Sequence, residues 1–260
     1  MATQKQPEAP LRRTGTGLTD VGRKRQSNED AFFFDDRLGL YIVGDGMGGH
    51  AAGEVASQEA VETVYGMVKR GIANLHELAD PLVEDDVRAA SRLMESAIQA
   101  ATYMVFSMAE MDRGKTGMGT TLSCLLVLGE YCVTAQVGDS RIYKVNGDTV
   151  EQLTEDHTLI AWQLKQGLIT PQEAKKSPHR NVITRAVGNR DYVQVDTGVV
   201  KLRPGDRYLL CSDGLHGYLR DPDIAPIVRA GGEAAVKKFI ALANERGGKD
   251  NITAILLEID

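Results

Sequence analysis

Four aspartates in this chain stand where an apolar run meets a glycine-containing turn. Asp45 follows Leu38 to Val43 and sits inside Gly44–Asp45–Gly46–Met47–Gly48–Gly49–His50; Asp139 follows Tyr131 to Val137; Asp213 follows Tyr208 to Cys211; Asp250 lies just before the final apolar run. If the strands are stacked so that these ends meet, four carboxylates converge on one rim. Like charges at that distance raise one another's pKa and cost stability unless a cation neutralises them, so the convergence itself points to metal. A single aspartate at a turn is more often a turn or cap residue than a ligand. Repetition at four strand ends changes that balance.

The glycine-rich stretch also satisfies another spelling. Gly44, Gly46 and Gly49 fit the Gly-x-Gly-x-x-Gly of a dinucleotide-binding turn. Two features count against it. Asp45 would repel a pyrophosphate held on backbone amides, and the region about 20 residues on, AVETVYGMVKRG, keeps helical spacing where a second strand ending in an acid is needed.

Further chemistry sits upstream. Arg23, Lys24 and Arg25 stand just before Glu29 and Asp30, and the strand-like Phe32 to Phe34 follows, with Asp35, Asp36 and Arg37 as a turn. Glu29 and Asp30 therefore begin one strand of a hairpin and Asp45 ends the other, bringing three carboxylates toward one rim. The donor set is oxygen. His50, His76, His157, His179 and His216 show no i, i+4 pairing and no Cys-x-x-Cys accompanies them, so Mg²⁺ or Mn²⁺ suits the set better than Zn²⁺.

The elements that must position these residues follow from periodicity. After His50, apolar residues from Val55 to Val68 recur three and four apart, and a second long helix is expected from near Glu84 to Met111, its methionines filling gaps in the core. From Thr120 the pattern turns to strands (TTLSCLLVL, YCVTAQV, IYKV), with Asn146–Gly147 as a hairpin turn. Residues 154–188 read as a polar excursion with one short helix, LIAWQLKQG. Strands return in VQVDTGVVKL and DRYLLCSDGL. Asp221–Pro222 is expected to cap and open a short helix, Glu233 to Arg246 forms another, and NITAILLEI ends the chain as a strand.

With 260 residues, 42% hydrophobic and 25% charged, the chain can bury a sizeable core. A net charge of −6 gives no bulk attraction to nucleic acid or anionic lipid. The first residues lack the apolar segment of a signal peptide and the most apolar run, Leu122 to Leu128, is far too short to span a bilayer, so a cytoplasmic location without membrane attachment is expected. Cys124, Cys132 and Cys211, odd in number and inside apolar runs, read as reduced core residues. Residues 1–14 read as a flexible tail and 15–260 as a single domain.

Eight motifs in order, RQSNED, VGDGMGGH, GMGTT, VGDSRIY, LTEDHT, ITRAVG, LLCSDGL and GKDNIT, resemble those of the bacterial metal-dependent serine/threonine protein phosphatases of type 2C, over about Gly15 to Asp260. The resemblance implies an α+β fold in four layers, αββα, with two stacked, largely antiparallel sheets flanked by helix pairs. It implies that Asp45 bridges two metals, that Gly46 offers its carbonyl, and that Asp213 and Asp250 complete the second metal's ligands. Asp139, with Asp213, resembles the ligand of a weaker third metal. Glu29 and Asp30 match acids that orient metal-bound waters, and Arg25 matches the arginine that binds substrate phosphate, a task suited to its forked guanidinium. Two Mn²⁺ or Mg²⁺ ions per site, hydrolysis of phosphoserine and phosphothreonine by a metal-activated water without a phosphoenzyme, phosphorylated proteins as partners, an opposing Ser/Thr kinase and a monomeric state are implied with it. The chain departs from some relatives at two points. Met47 stands where certain eukaryotic members carry a histidine proposed as general acid, and Asn181 stands where some bacterial members use a serine oxygen at the third metal. The alternative from another class is a phosphatase-like binding module without turnover, whose mark would be a lost metal acid; none of the acids is missing. Saturable NAD binding would revive the dinucleotide reading.

Overall fold

In the computed structural model, residues 11–48, 52–75, 84–179 and 181–260 are described. The chain runs β1 (Arg13–Asp20), β2 (Asp30–Asp35), β3 (Leu40–Met47), α1 (Ala52–Leu75), α2 (Glu84–Met111), a short 3₁₀ turn at Arg113–Lys115, β4 (Gly119–Thr120), β5 (Leu122–Leu128), β6 (Tyr131–Val137), β7 (Arg141–Asn146) and β8 (Thr149–Gln152). Then come α3 (Leu159–Lys165), α4 (Pro171–Lys176), β9 (Asp196–Lys201), β10 (Arg207–Cys211), α5 (Asp213–His216), α6 (Asp221–Val228), α7 (Gly232–Glu245) and β11 (Ile252–Ile259).

Two sheets, of orders β1-β11-β10-β7-β8 and β2-β3-β5-β6-β9, contain only antiparallel pairs. Their central strands lack the alternation of a half-solvated sheet because both faces are covered. Every residue of β5 (LSCLLVL) is buried. One face packs under α1 and α2, where Ala56, Ala60, Val64 and Val68 meet Met94, Ile98 and Leu126. The other faces the second sheet, where Val43, Leu125 and Ile142 meet Leu210 and Ile255. Beyond that sheet, Phe239, Ile240 and Ile224 of α6 and α7 pack on Leu209 and Leu256. Three apolar layers between four layers of secondary structure give the expected αββα order.

Several expectations are corrected. Arg13 and Thr14, placed in the tail, are the first residues of β1, paired with Ile259 and Glu258, because the edge of β11 supplies a ladder for them. The remainder of the tail, residues 1–10, lies outside the described residues. Of the α2 methionines Met94 is fully buried, Met108 packs at the core margin and Met104 is 45% exposed, so the gap-filling role holds for the first two. The residue at the N-cap of α6 is Arg220, not Asp221, and the Asp223 carboxylate takes the cap amide at 3.0 Å. The excursion carries a second helix, α4, closed by a capping box between Thr170 and Glu173. The three cysteines are free and buried.

Candidate metal and phosphate site

The β2–β3 hairpin places Asp30 opposite Asp45, as expected from the strand ends. Asp45 is fixed through its backbone. Its amide donates to Thr121 Oγ1 at 3.0 Å, and its carbonyl accepts from the Thr121 amide at 2.9 Å and from Thr120 Oγ1 at 3.0 Å. Thr121 Oγ1 also meets Ser140 Oγ at 2.8 Å, which ties the Asp45 turn to the one carrying Asp139. The next residue must be glycine, since a Cβ at Gly46 would lie 2.1 Å from the Gly53 carbonyl oxygen and 2.5 Å from that of Glu29. The Gly46 amide donates to the Glu29 carbonyl at 3.0 Å, and the Glu29 carboxylate lies against Gly53.

Asp213 opens α5, a helix of four residues too short to show a period in the sequence. Gly214 permits the close approach of that turn to β11, because a Cβ there would stand 1.9 Å from the Asn251 carbonyl oxygen. Ser212 and Thr253 both donate to Asp30 Oδ2, at 2.8 and 2.6 Å. Asp30 Oδ1 is buried without a hydrogen-bond partner. Asp250 Oδ2 accepts from Arg25 at 2.8 Å, so the basic-then-acidic stretch noted in the sequence is folded back onto the last acid of the set.

Asn251 organises this contact and was not singled out from sequence. Its side chain accepts from the Glu29 amide at 2.8 Å and donates to the Val21 and Ser27 carbonyls at 3.0 and 2.9 Å, clamping the loop that carries Arg25. Only its place in the GKDNIT motif could have drawn attention to it.

Asp139 is positioned from the far side. Gln136 Nε2 donates to the Gly138 and Ser140 carbonyls at 3.0 and 2.7 Å. The Gly138 amide donates to His157 Nδ1 at 3.1 Å, so His157 carries its proton on Nε2, which faces Asp196 Oδ2 at 3.0 Å. His216 Nε2 donates to the Asp139 carbonyl at 2.9 Å, and burial pushes its pKa down to about 3, leaving a neutral imidazole. His50 lies outside the described residues.

The electrostatics match a set of acids waiting for charge. Burial, then the charges of Asp30, Asp213, Asp139 and Asp250, hold the Asp45 carboxyl well above the usual carboxylate range. Burial pushes Asp30 and Asp139 up to about 7 each, against two hydroxyl hydrogen bonds in the first case and with help from Asp213 and Asp156 in the second. Asp213 is raised by burial and then by Asp250. Among the described residues no three His, Cys, Asp or Glu side chains close into a ready-made cage for one ion. An open set of one or two carboxylates per ion is what Mg²⁺ and Mn²⁺ accept, since they keep much of their water shell. The all-oxygen donors and the unpartnered Asp30 Oδ1 fit such ions. Outward from Asp139, Asp213 and Asp250 runs a cleft of about 750 Å³, lined also by Asn181 and the excursion.

Residues 20–256 match the family model described as Protein phosphatase 2C. The chain is 37% identical over 245 residues to Serine/threonine phosphatase stp of Listeria innocua, covering 92% of this chain and 93% of that protein. The crystal structure of the Mycobacterium tuberculosis serine/threonine phosphatase PstP/Ppp superposes with a TM-score of 0.82 at 32% identity, over 96% of this chain and 99% of that one. The catalytic domain of PstP in complex with two manganese ions gives 0.81 at 31%, over 96% and 99%.

Proposed function

The chain belongs to the protein phosphatase 2C family, and on that footing we propose that its acid-lined cleft is where it removes phosphate from phosphoserine and phosphothreonine in proteins. The enzyme is a metal-dependent protein-serine/threonine phosphatase. The observation that carries the site assignment is the gathering of Asp45, Asp139, Asp213 and Asp250 around one another, with Arg25 hydrogen-bonded to the last.

Asp45 and the Gly46 carbonyl, with Asp213 and Asp250, would hold two Mn²⁺ or Mg²⁺ ions, and Asp139 with Asp213 a third; Glu29 and Asp30 would order water around them. When bound, the cations neutralise phosphoryl charge and supply a nucleophilic water near neutral pH. Arg25, held against Asp250 and with its side chain 47% exposed, would offer its guanidinium fork to phosphate oxygens. Ser212 and Ser140 are buried and engaged with Asp30 and Thr121, and burial pushes the Cys132 and Cys211 thiols up to about 12. No described serine or cysteine of the site is a free nucleophile, which supports direct attack by water. The neutral, carbonyl-bound His216 is not an acid catalyst and Met47 has no ionisable proton, so leaving-group protonation falls to a bound water or to another residue of the site. The chain from Arg13 to Asp260 acts as one catalytic domain, monomeric, with the excursion as a flap, acting on phosphorylated proteins that include a Ser/Thr kinase or its targets. Among the described residues no helix is long and apolar enough to cross a membrane.

Acid-quench mass spectrometry during turnover of a phosphothreonine peptide tests this chemistry. Only unmodified enzyme and free phosphate are expected; a phosphorylated side chain formed at the rate of turnover contradicts the water mechanism.

A further inference from the structure

The cleft extends well beyond the acids, and its charged lining divides cleanly. Asp139, Asp213 and Asp250 occupy the end assigned to the cations. Arg141 and Asp156 neutralise each other through a two-pronged contact, Nε to Oδ1 at 2.8 Å and a second nitrogen to Oδ2 at 2.6 Å. Among the described charged residues lining the cleft, Lys175 and Lys249 remain.

Their nearby acids are committed elsewhere. Glu173, two residues before Lys175, closes its own helix cap by accepting from the Thr170 amide at 2.7 Å and from Thr170 Oγ1 at 2.8 Å. Glu155 is taken by Lys165 at 2.6 Å, and Asp250, beside Lys249, by Arg25. Neither Lys175 nor Lys249 forms an ion pair with a described residue. Lys175 is held on α4 by that capping box, and the Lys249 backbone is held by Tyr218, whose hydroxyl accepts from the Lys249 amide at 3.2 Å. Between them Ile160, Ala161, Leu164 and Ala174 line the same cleft and supply an apolar bed for peptide side-chain stems.

A chain of net charge −6 thus presents two lysines without a described ion pair in the cleft that also holds Asp139, Asp213 and Asp250. We propose that Lys175 and Lys249 select phosphopeptides carrying acidic residues near the phosphorylated serine or threonine. The selection rests on the phosphatase reading above and deepens it: cations at the inner end take the phosphoryl group, and the lysines take the flanking carboxylates. Exposed pairs of this kind are individually modest and salt-screened, so the preference is one of several-fold and not of orders of magnitude.

The test compares kcat/KM for three phosphothreonine peptides that differ only in having Glu, Gln or Lys at the second to fourth positions on either side. With Mn²⁺ at low salt, the Glu peptide is expected to exceed the Lys peptide by about fivefold, with Gln between, and the gap should close in 0.5 M salt. In Lys175→Glu the Glu-to-Lys ratio, taken within one preparation and so independent of its specific activity, should fall to about one or invert. A wild-type ratio of one, or an unchanged ratio in Lys175→Glu, overturns the proposal. Failure of wild-type enzyme to hydrolyse para-nitrophenyl phosphate with Mn²⁺ instead overturns the phosphatase reading, and the selection falls with it.

Discussion

Asp30 and Asp45 face each other as register partners across the β2–β3 ladder, two carboxylates on adjacent strands with one oxygen of Asp30 buried and unpartnered. Like charges directly opposite in a sheet destabilise it. Without a cation this pair is a cost built into the fold, which a cation held in the proposed site would offset. Asp45→Asn should therefore raise the melting temperature of the metal-free protein by about 2–4 °C while abolishing Mn²⁺-dependent turnover. Thermal denaturation in chelator, with and without the substitution, checks it; a lower melting temperature in the variant contradicts it.

Arg25 holds Asp250 through an exposed contact at 2.8 Å, so its loss should barely touch stability. Its proposed work is on phosphate. Arg25→Ala is expected to lower kcat/KM for a phosphothreonine peptide by about tenfold or more, with Arg25→Lys in between because a point charge lacks the fork. Steady-state kinetics unchanged from wild type would remove Arg25 from the site.

Asn251 clamps the single loop between β1 and β2 by side-chain hydrogen bonds to Val21, Ser27 and Glu29. Asn251→Ala leaves buried backbone groups unpaired and should cost about 2–3 kcal/mol. Because the clamped loop bears Arg25, KM should rise as well. Urea denaturation together with KM reads both effects, and an unchanged midpoint contradicts the clamp.

Asp206, fully buried, sets a pH dependence away from the site. Burial alone would raise its pKa, but Lys144 at 2.8 Å, Asn146 at 2.7 Å and the Arg203 amide hold it below the usual carboxylate value. A depressed folded pKa contributes stability that is fully present above the unfolded value near 4 and is lost as pH falls through the folded value. Stability should thus fall on acidification below about pH 4, and Asp206→Asn should flatten that part of the profile. A profile of identical slope in the variant contradicts the assignment.

Much of this was legible in the residues. The seam from Val87 to Met108 marked α2, and the junction of apolar runs with Asp-Gly turns marked the acids before any coordinates. What stayed hidden shares a cause, which is short length or long range. The four residues of α5 and six of α4 hold too little periodicity to read. Arg13 and Thr14 become strand only because β11, at the other end of the chain, pairs with them. The position of β10 between β7 and β11, the clamp of Asn251 and the anchoring of Gly138 by His157 all join residues far apart in sequence. Local pattern carries no trace of such contacts. The layer order came from family resemblance, and the three apolar layers of the fold bear it out.

The central claim is that the acids at the strand ends work by holding cations. Release of phosphate from a phosphothreonine peptide by Asp213→Asn, in saturating Mn²⁺, tests it most directly. The side chain keeps its shape and loses its charge, so the account predicts a variant that still folds, with turnover reduced by at least about a hundredfold, equal to wild type stripped by chelator. Turnover close to that of the metal-loaded wild type would contradict it.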